Sequence, residues 1–252
     1  MKKIAHVLFF TALALSVGAQ KKPVTDSAAY VVDRFLQIVN YDAIEADSLL
    51  YSESKLFNVH STDTLRMLRW FSSQNKIRIE LWRHDTLVVG FYSNERDKFR
   101  SYDLKTRQWE DLGVSDFFRK TKGYSYKNAL SRWRDEKYKL TYKGVWRYEG
   151  RDTYRVHVQA NDQYDRDYLF ERQSGLLFLV DESDTYRKNL IDEPGMHPSW
   201  RAYHEYIPLG NVVKAALLTS KESYLYDGQV TVMASTYKYI PKNDGVFEND
   251  RR

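Results

Sequence analysis

The chain has 252 residues, 42% hydrophobic and 29% charged, a balance that excludes a disordered or collagen-like polypeptide and suits one large domain or two small ones. It has no cysteine, which excludes disulfides, thiol nucleophiles, iron–sulfur ligation, cysteine zinc sites and the N-terminal lipid attachment of a bacterial lipoprotein. Aromatic residues make up 15%, with 20 Tyr, 12 Phe and 6 Trp, an excess that favours β structure and a surface or cavity built from large rings.

Lys2 and Lys3 precede an apolar run from Ile4 to Leu15, followed by Ser16, Val17, Gly18 and Ala19. A charged start, a short apolar middle and small residues at a cleavage point predict a secretory signal peptide over 1–19, cleaved before Gln20. The run is shorter than the roughly 20 residues of a spanning helix. The expected location is the periplasm of a two-membrane host. The leader holds two of the 39 basic residues and none of the 34 acidic ones, so the remainder carries 37 against 34, net +3. With no dense Lys/Arg stripe, nucleic acid is not an expected partner.

Residues 20–252 read as one domain, with no repeat, low-complexity tract or dividing linker. Residues 20–26 are a lead-in. Asp26 or Ser27 can cap a helix running to about Val39, with Val31, Val32, Phe35, Leu36, Ile38 and Val39 on one side and Asp33, Arg34 and Gln37 on the other. From about Ser48 the apolar period becomes two, the spacing of strands. LLYSESKLFNV, TLRMLRWF, KIRIELWRH, TLVVGFYS and KFRSYDL are successive candidates, and QWEDL can add one more. The links are short, which forces antiparallel neighbours.

The middle breaks this pattern. Ser115 can cap a short turn carrying Phe117 and Phe118, and Tyr126, Ala129, Leu130 and Trp133 have the spacing of a second amphipathic helix at about 125–136. Strands resume in KYKLTYKGVWRYEG, TYRVHVQA, DYLFER and LLFLVDE, with turns at Glu149–Asp152 and Gln173–Gly175. Residues 183–200 are unpatterned, as in a functional loop or insertion. RAYHEYIP, VKAALLTSKESYLYD and QVTVMASTYKY close the chain, with a hairpin turn at Asp227–Gly228. The expected fold is α+β: a single curved antiparallel sheet of about 10–11 strands, a half-barrel with helices covering its concave apolar face.

This order resembles the LolA-like superfamily of periplasmic lipoprotein carriers and lipid-binding relatives. Three stretches carry the likeness across roughly residues 26–248: KIRIELWRHDTLVVGFYSNERDKFRSYD, YEGRDTYRVHVQANDQYDRDYLFERQSGLLFLVDES and the closing segment from RAYHEYIP to DGVFE. The resemblance implies an apolar cavity between sheet and helices that takes acyl chains, at about 0.8 kcal/mol per buried methylene. The residues expected to line it are Val31, Phe35, Ile77, Ile79, Leu81, Leu87, Val89, Phe117, Phe118, Leu130, Trp133, Val156 and Val158. Tyr138, Tyr142, Trp146, Tyr154, Tyr168 and Phe170 read as cross-strand core pairs or as further lining. In the carriers an early-strand Arg latches the lid helices. Arg78 best matches that position, with Arg66, Arg69 and Arg83 nearby.

The resemblance implies an acylated lipoprotein or lipid as ligand, an inner-membrane donor, an outer-membrane acceptor, and a monomer without cofactor. Two other readings use the same chain: a non-catalytic sensor or protein-interaction module, and a secreted hydrolase. No GxSxG, phosphate loop or nucleophile–base pattern is present, so no catalytic residue is expected. His60, His84, His157, His197 and His204 have no metal-ligand spacing, although His197 and His204 flank Trp200 near Asp192 and Glu193. Asp181, Glu182 and Asp184 read as a solvated strand end.

Overall fold

The computed structural model describes residues 27–44, 46–58, 63–73, 76–93, 98–121, 129–135, 137–160, 164–181, 200–221 and 230–247. The expected signal peptide, the 183–199 loop and the Asp227–Gly228 turn lie outside the described residues.

Helix α1 spans Ala28–Val39. The Ser27 hydroxyl accepts from the Tyr30 N–H at 3.1 Å, satisfying one of the helix's orphan donors. At the other end Asn40, at φ 45°, returns its N–H to the Leu36 carbonyl. Val31, Val32, Phe35 and Val39 form its buried face. Helix α2 spans Val114–Thr121. A short 3-10 turn, Ala129–Arg132, stands in the described part of the expected 125–136 helix, and turns follow it to Arg134 and Asp135.

The strands are β1 (Ser48–Asn58), β2 (Thr64–Ser72), β3 (Ile77–Arg83), β4 (Thr86–Ser93), β5 (Phe99–Asp103), β6 (Gln108–Asp111), β7 (Lys139–Tyr148), β8 (Arg151–Ala160), β9 (Tyr164–Glu171), β10 (Leu177–Asp181), β11 (Trp200–Leu209), β12 (Val212–Lys221) and β13 (Val230–Pro241). They form one 13-stranded sheet in the order β6-β5-β4-β3-β2-β1-β13-β12-β11-β10-β9-β8-β7. The class is the expected one. The count exceeds ten or eleven because every stretch with a two-residue period is a strand, down to the four residues of β6.

Each strand neighbours its predecessor, except that β1 pairs with β13 and the sheet is open between β6 and β7. Antiparallel pairing throughout such a ladder leaves the two edge strands running in the same direction. A parallel pair needs a long return. Residues 112–138, carrying α2 and the 3-10 turn, make that return.

The expected turn at Glu149–Asp152 is a tight hairpin between β7 and β8. Glu149 (φ 47°) and Gly150 (φ 79°) both take the left-handed conformation of a tight hairpin turn. Tyr206 donates its hydroxyl to the Leu177 carbonyl at 2.7 Å, tying β11 to β10. Burial first, then the neighbouring Tyr41, Tyr203 and Tyr237 phenols, pushes its pKa well above the ordinary 10.0. The unfolded chain loses this proton first, so its contribution is complete below pH 10 and is lost as pH rises through the folded value. Urea melts at about pH 8 and about pH 11 are expected to show a larger alkaline loss of stability for wild type than for Tyr206→Phe.

Gly90 on β4 faces Trp109: a Cβ there would lie 2.4 Å from the indole Cη2 and 3.0 Å from the Tyr102 Cβ. Overpacking a tight site costs about 1–3 kcal/mol, so Gly90→Ala is expected to lower the urea midpoint by that equivalent.

Candidate functional site

Directly opposed residues of an antiparallel ladder share a face. From Ile79 the opposed positions run through Arg69 and Ser52 to Tyr237. Four residues further along β1, Leu56 leads on the same face through Met233 and Leu218 to Tyr203. From Arg201 the same face continues through Val180 and Tyr168 to Val156 and Tyr142. Both helices pack on this face, which is the inner one.

The inner face is apolar in two main patches. Under α1, Val31, Phe35, Leu130, Val156, Val158, Tyr168 and Phe170 are buried together, with Trp133 and Tyr142 at the margin. Phe35 meets Phe170 at 5.4 Å between ring centroids. Arg34 holds α1 in place by donating to the Arg172 and Gln173 carbonyls, and Arg134 pairs with Asp33 at 2.6 Å. Under α2, Met67, Ile79, Phe91 and Phe117 are buried, with Ile77, Leu81 and Val89 packed against them. The Phe117 ring stands 5.0 Å from Phe99 and 6.3 Å from Phe91. A third, smaller group, Ile44, Leu50 and Phe71 with Tyr237 and Tyr239, lies at the strand ends nearest α1's C-terminus.

Of the expected lining residues, Val31, Phe35, Leu130, Trp133, Val156 and Val158 thus meet in one patch. Ile77, Ile79, Leu81, Val89 and Phe117 meet in another. The Phe118 side chain lies outside the described residues. Leu87 is a correction. The ladder between β3 and β4 slips between Leu81 and Trp82, so Leu81 opposes Val89 but Trp82 opposes Leu87. This bulge turns Leu87 to the outer face, where it packs with Tyr92, Trp109, Trp82 and Tyr102.

Arg78 is the second correction. It alternates with Ile77 and Ile79 and therefore projects from the outer face, away from α2. Its Nε donates to Glu80 Oε1 at 2.7 Å and its Nη1 to the Val246 carbonyl at 2.7 Å. Trp70, Tyr92 and Trp109 surround the guanidinium at 5.6–5.9 Å from their ring centroids. Arg78 thus fastens the C-terminal 3-10 turn Asp244–Phe247 to β3, and that turn buries Phe247 completely.

Sequence reasoning left out a polar band on the inner face. Arg69 is 6% exposed, and its Nε and Nη2 donate to Ser52 Oγ at 2.9 Å and Ser54 Oγ at 3.2 Å. The Ser54 and Ser235 hydroxyls are hydrogen-bonded to each other at 2.7 Å. The signal was legible: Arg69 shares its alternation with Met67 and Phe71, and Ser52 and Ser54 stand between Leu50 and Leu56.

On the outer face His157 lies between Asp165 and Asp167, at 3.1 and 2.8 Å, and Arg155 also pairs with Asp167. This is a polar cluster across β8 and β9 in which both carboxylates are buried. Among the described residues no group of three or more His, Asp or Glu side chains is placed to hold a metal ion. His197, Glu182 and Asp184 lie outside them.

No family model matches the chain, and no curated protein does. Solved structures do match its fold. A DUF1329 family protein from Desulfovibrio piger superimposes with a TM-score of 0.59 at 13% identity, covering 89% of this chain and 98% of the other. A LolA superfamily protein from Nitrosomonas europaea gives 0.55 at 10% identity, covering 89% and 98%. A putative outer membrane lipoprotein-sorting protein domain from Vibrio parahaemolyticus gives 0.52 at 11% identity, covering 88% and 100%. The chain has the LolA-like fold, in agreement with the resemblance read from its sequence.

Proposed function

We propose that this protein is an exported, non-catalytic carrier or chaperone that binds acyl chains of lipoproteins or other lipids on the inner face of its sheet. The observation that carries the reading is that face: two apolar patches, each built from strands and roofed by a helix, in a fold shared with a lipoprotein-sorting domain. Such a surface suits a hydrocarbon tail, which offers area and no polar group to recognise. The donor would then lie in the inner membrane and the acceptor in the outer membrane, with passage through the periplasm after removal of residues 1–19. Outer-membrane lipoprotein sorting is the corresponding process.

A second reading, a sensor or interaction module on the same fold, draws support from how fully Phe35, Leu130, Tyr168 and Phe170 fill the space beneath α1. Native mass spectrometry of protein purified from an exporting host separates the two. The carrier reading expects co-purifying lipid, or uptake of a pyrene-labelled fatty acid after delipidation. Protein that is always empty and takes up no acyl probe would leave the interaction module as the better account.

A further inference from the structure

A buried guanidinium needs an anion, because removing a fixed charge from water costs several kcal/mol unless it is paired. The outer face obeys this rule. Arg78 is paired with Glu80 and Arg155 with Asp167. Arg69 on the inner face departs from it. It is as deeply buried as Arg78, yet among the described residues its hydrogen-bond partners are two serine hydroxyls and no carboxylate. Arginine stays protonated at any physiological pH, so the charge is permanent.

The geometry shows which edge of the group is spare. Ser52 and Ser54 hold the edge formed by Nε and one N–H of Nη2. The other edge, formed by Nη1 and the second N–H of Nη2, makes no hydrogen bond among the described residues. Those two N–H groups form the parallel fork that accepts both oxygens of a carboxylate or phosphate. The two serines fix the plane of the fork, since Ser54 is itself locked to Ser235.

The surroundings set the rest of the ligand. Arg69 lies between Met67 and Phe71 on its own strand and opposite Ile79 on the next, so apolar patches lie on both sides of the charge. A fixed cation set between apolar patches is the complement of one oxyanion on a hydrocarbon tail. We infer that Arg69, held by Ser52 and Ser54, is the head-group site for an anionic acyl amphiphile. The inference rests on the acyl-carrier reading and adds a charge requirement to it. The tail would lie along the patch of Met67, Ile79 and Phe117, and the oxyanion would supply the counter-ion that the described residues do not.

The test uses the delipidated full protein and three probes sharing a sixteen-carbon chain: palmitate, methyl palmitate and palmitoyl-lysophosphatidylglycerol. Affinities come from displacement of a fluorescent fatty acid, with thermal melts run alongside. Wild type is expected to bind palmitate or the lysophospholipid about tenfold or more tightly than the neutral ester, and Arg69→Met to abolish that preference while keeping the ester's affinity. Arg69→Lys, which keeps the charge but loses the fork, is expected to retain a reduced preference. A stronger effect on palmitate assigns a carboxylate head, and a stronger effect on the lysophospholipid assigns a phosphate. Equal binding of all three probes by wild type, or a preference unchanged in both variants, overturns this inference alone. Failure of wild type to bind any probe overturns the carrier reading and the inference with it. The wild-type comparison decides the matter even if Arg69→Met does not fold.

Discussion

Glu80→Ala is expected to destabilise the protein by about 3–5 kcal/mol, because it removes the buried carboxylate that pairs with Arg78. The pair is closed off from water, with side chains 7% and 5% exposed, and Arg78 Nη2 lies 2.5 Å from Glu80 Oε1. Glu80 Oε2 also accepts from the Trp82 indole at 3.1 Å, so one truncation leaves two donors without their acceptor. At this chain length the loss corresponds to a fall in Tm of roughly 10 °C. Glu80→Gln keeps an acceptor and should cost less. The double variant Arg78→Met/Glu80→Leu should recover much of the loss, since replacing both members of a buried pair by apolar groups is often close to neutral. Circular dichroism melts of the four proteins check the series. A single variant as stable as wild type would show that the pair does not hold the C-terminal turn on β3.

The second large effect is expected at Phe35. Its ring is 1% exposed and packs on Phe170 and, edge-on at 6.4 Å, on Tyr41. Phe35→Ala removes the largest of α1's buried side chains. Truncating a buried Phe costs about 3–5 kcal/mol, the lost transfer energy plus the cavity left behind. Chemical denaturation should show this as a lower midpoint with an unchanged slope. Proteolysis should cut first within residues 28–39, because the rest of the sheet does not depend on α1 for its ladder. A loss below about 1 kcal/mol would mean that α1 is only loosely seated, since exposed positions fall in that range.

Much of this was legible from local pattern. Ser27 followed by Val31, Val32, Phe35 and Val39 specifies both the start and the buried face of α1. The two-residue alternation specifies the strands, and short links specify their antiparallel order. What the pattern did not carry was long-range or irregular. The pairing of β1 with β13 joins residues nearly two hundred positions apart, and no local period encodes it. The bulge that turns Leu87 outward is a one-residue slip without a glycine or proline to mark it. The spacing of Ala129, Leu130 and Trp133 suits a helix, but the described backbone there closes as a 3-10 turn, whose three-residue period also places Leu130 and Trp133 on one side. Arg78 is different in kind. If Ile77 and Ile79 face inward, alternation alone sends Arg78 outward, so the residues contradicted the role that the family resemblance implied. The same alternation puts Arg69 inside.

The measurement closest to the central proposal is photo-crosslinking with a fatty acid carrying a diazirine at its tail, followed by residue-level mass spectrometric sequencing. The account predicts adducts on inner-face side chains of β2, β3 and α2, above all Met67, Ile79 and Phe117, and on the patch beneath α1 around Val156. Labelling confined to outer-face residues such as Trp70, Trp82 or Trp109, or no labelling above that of a denatured control, would contradict it.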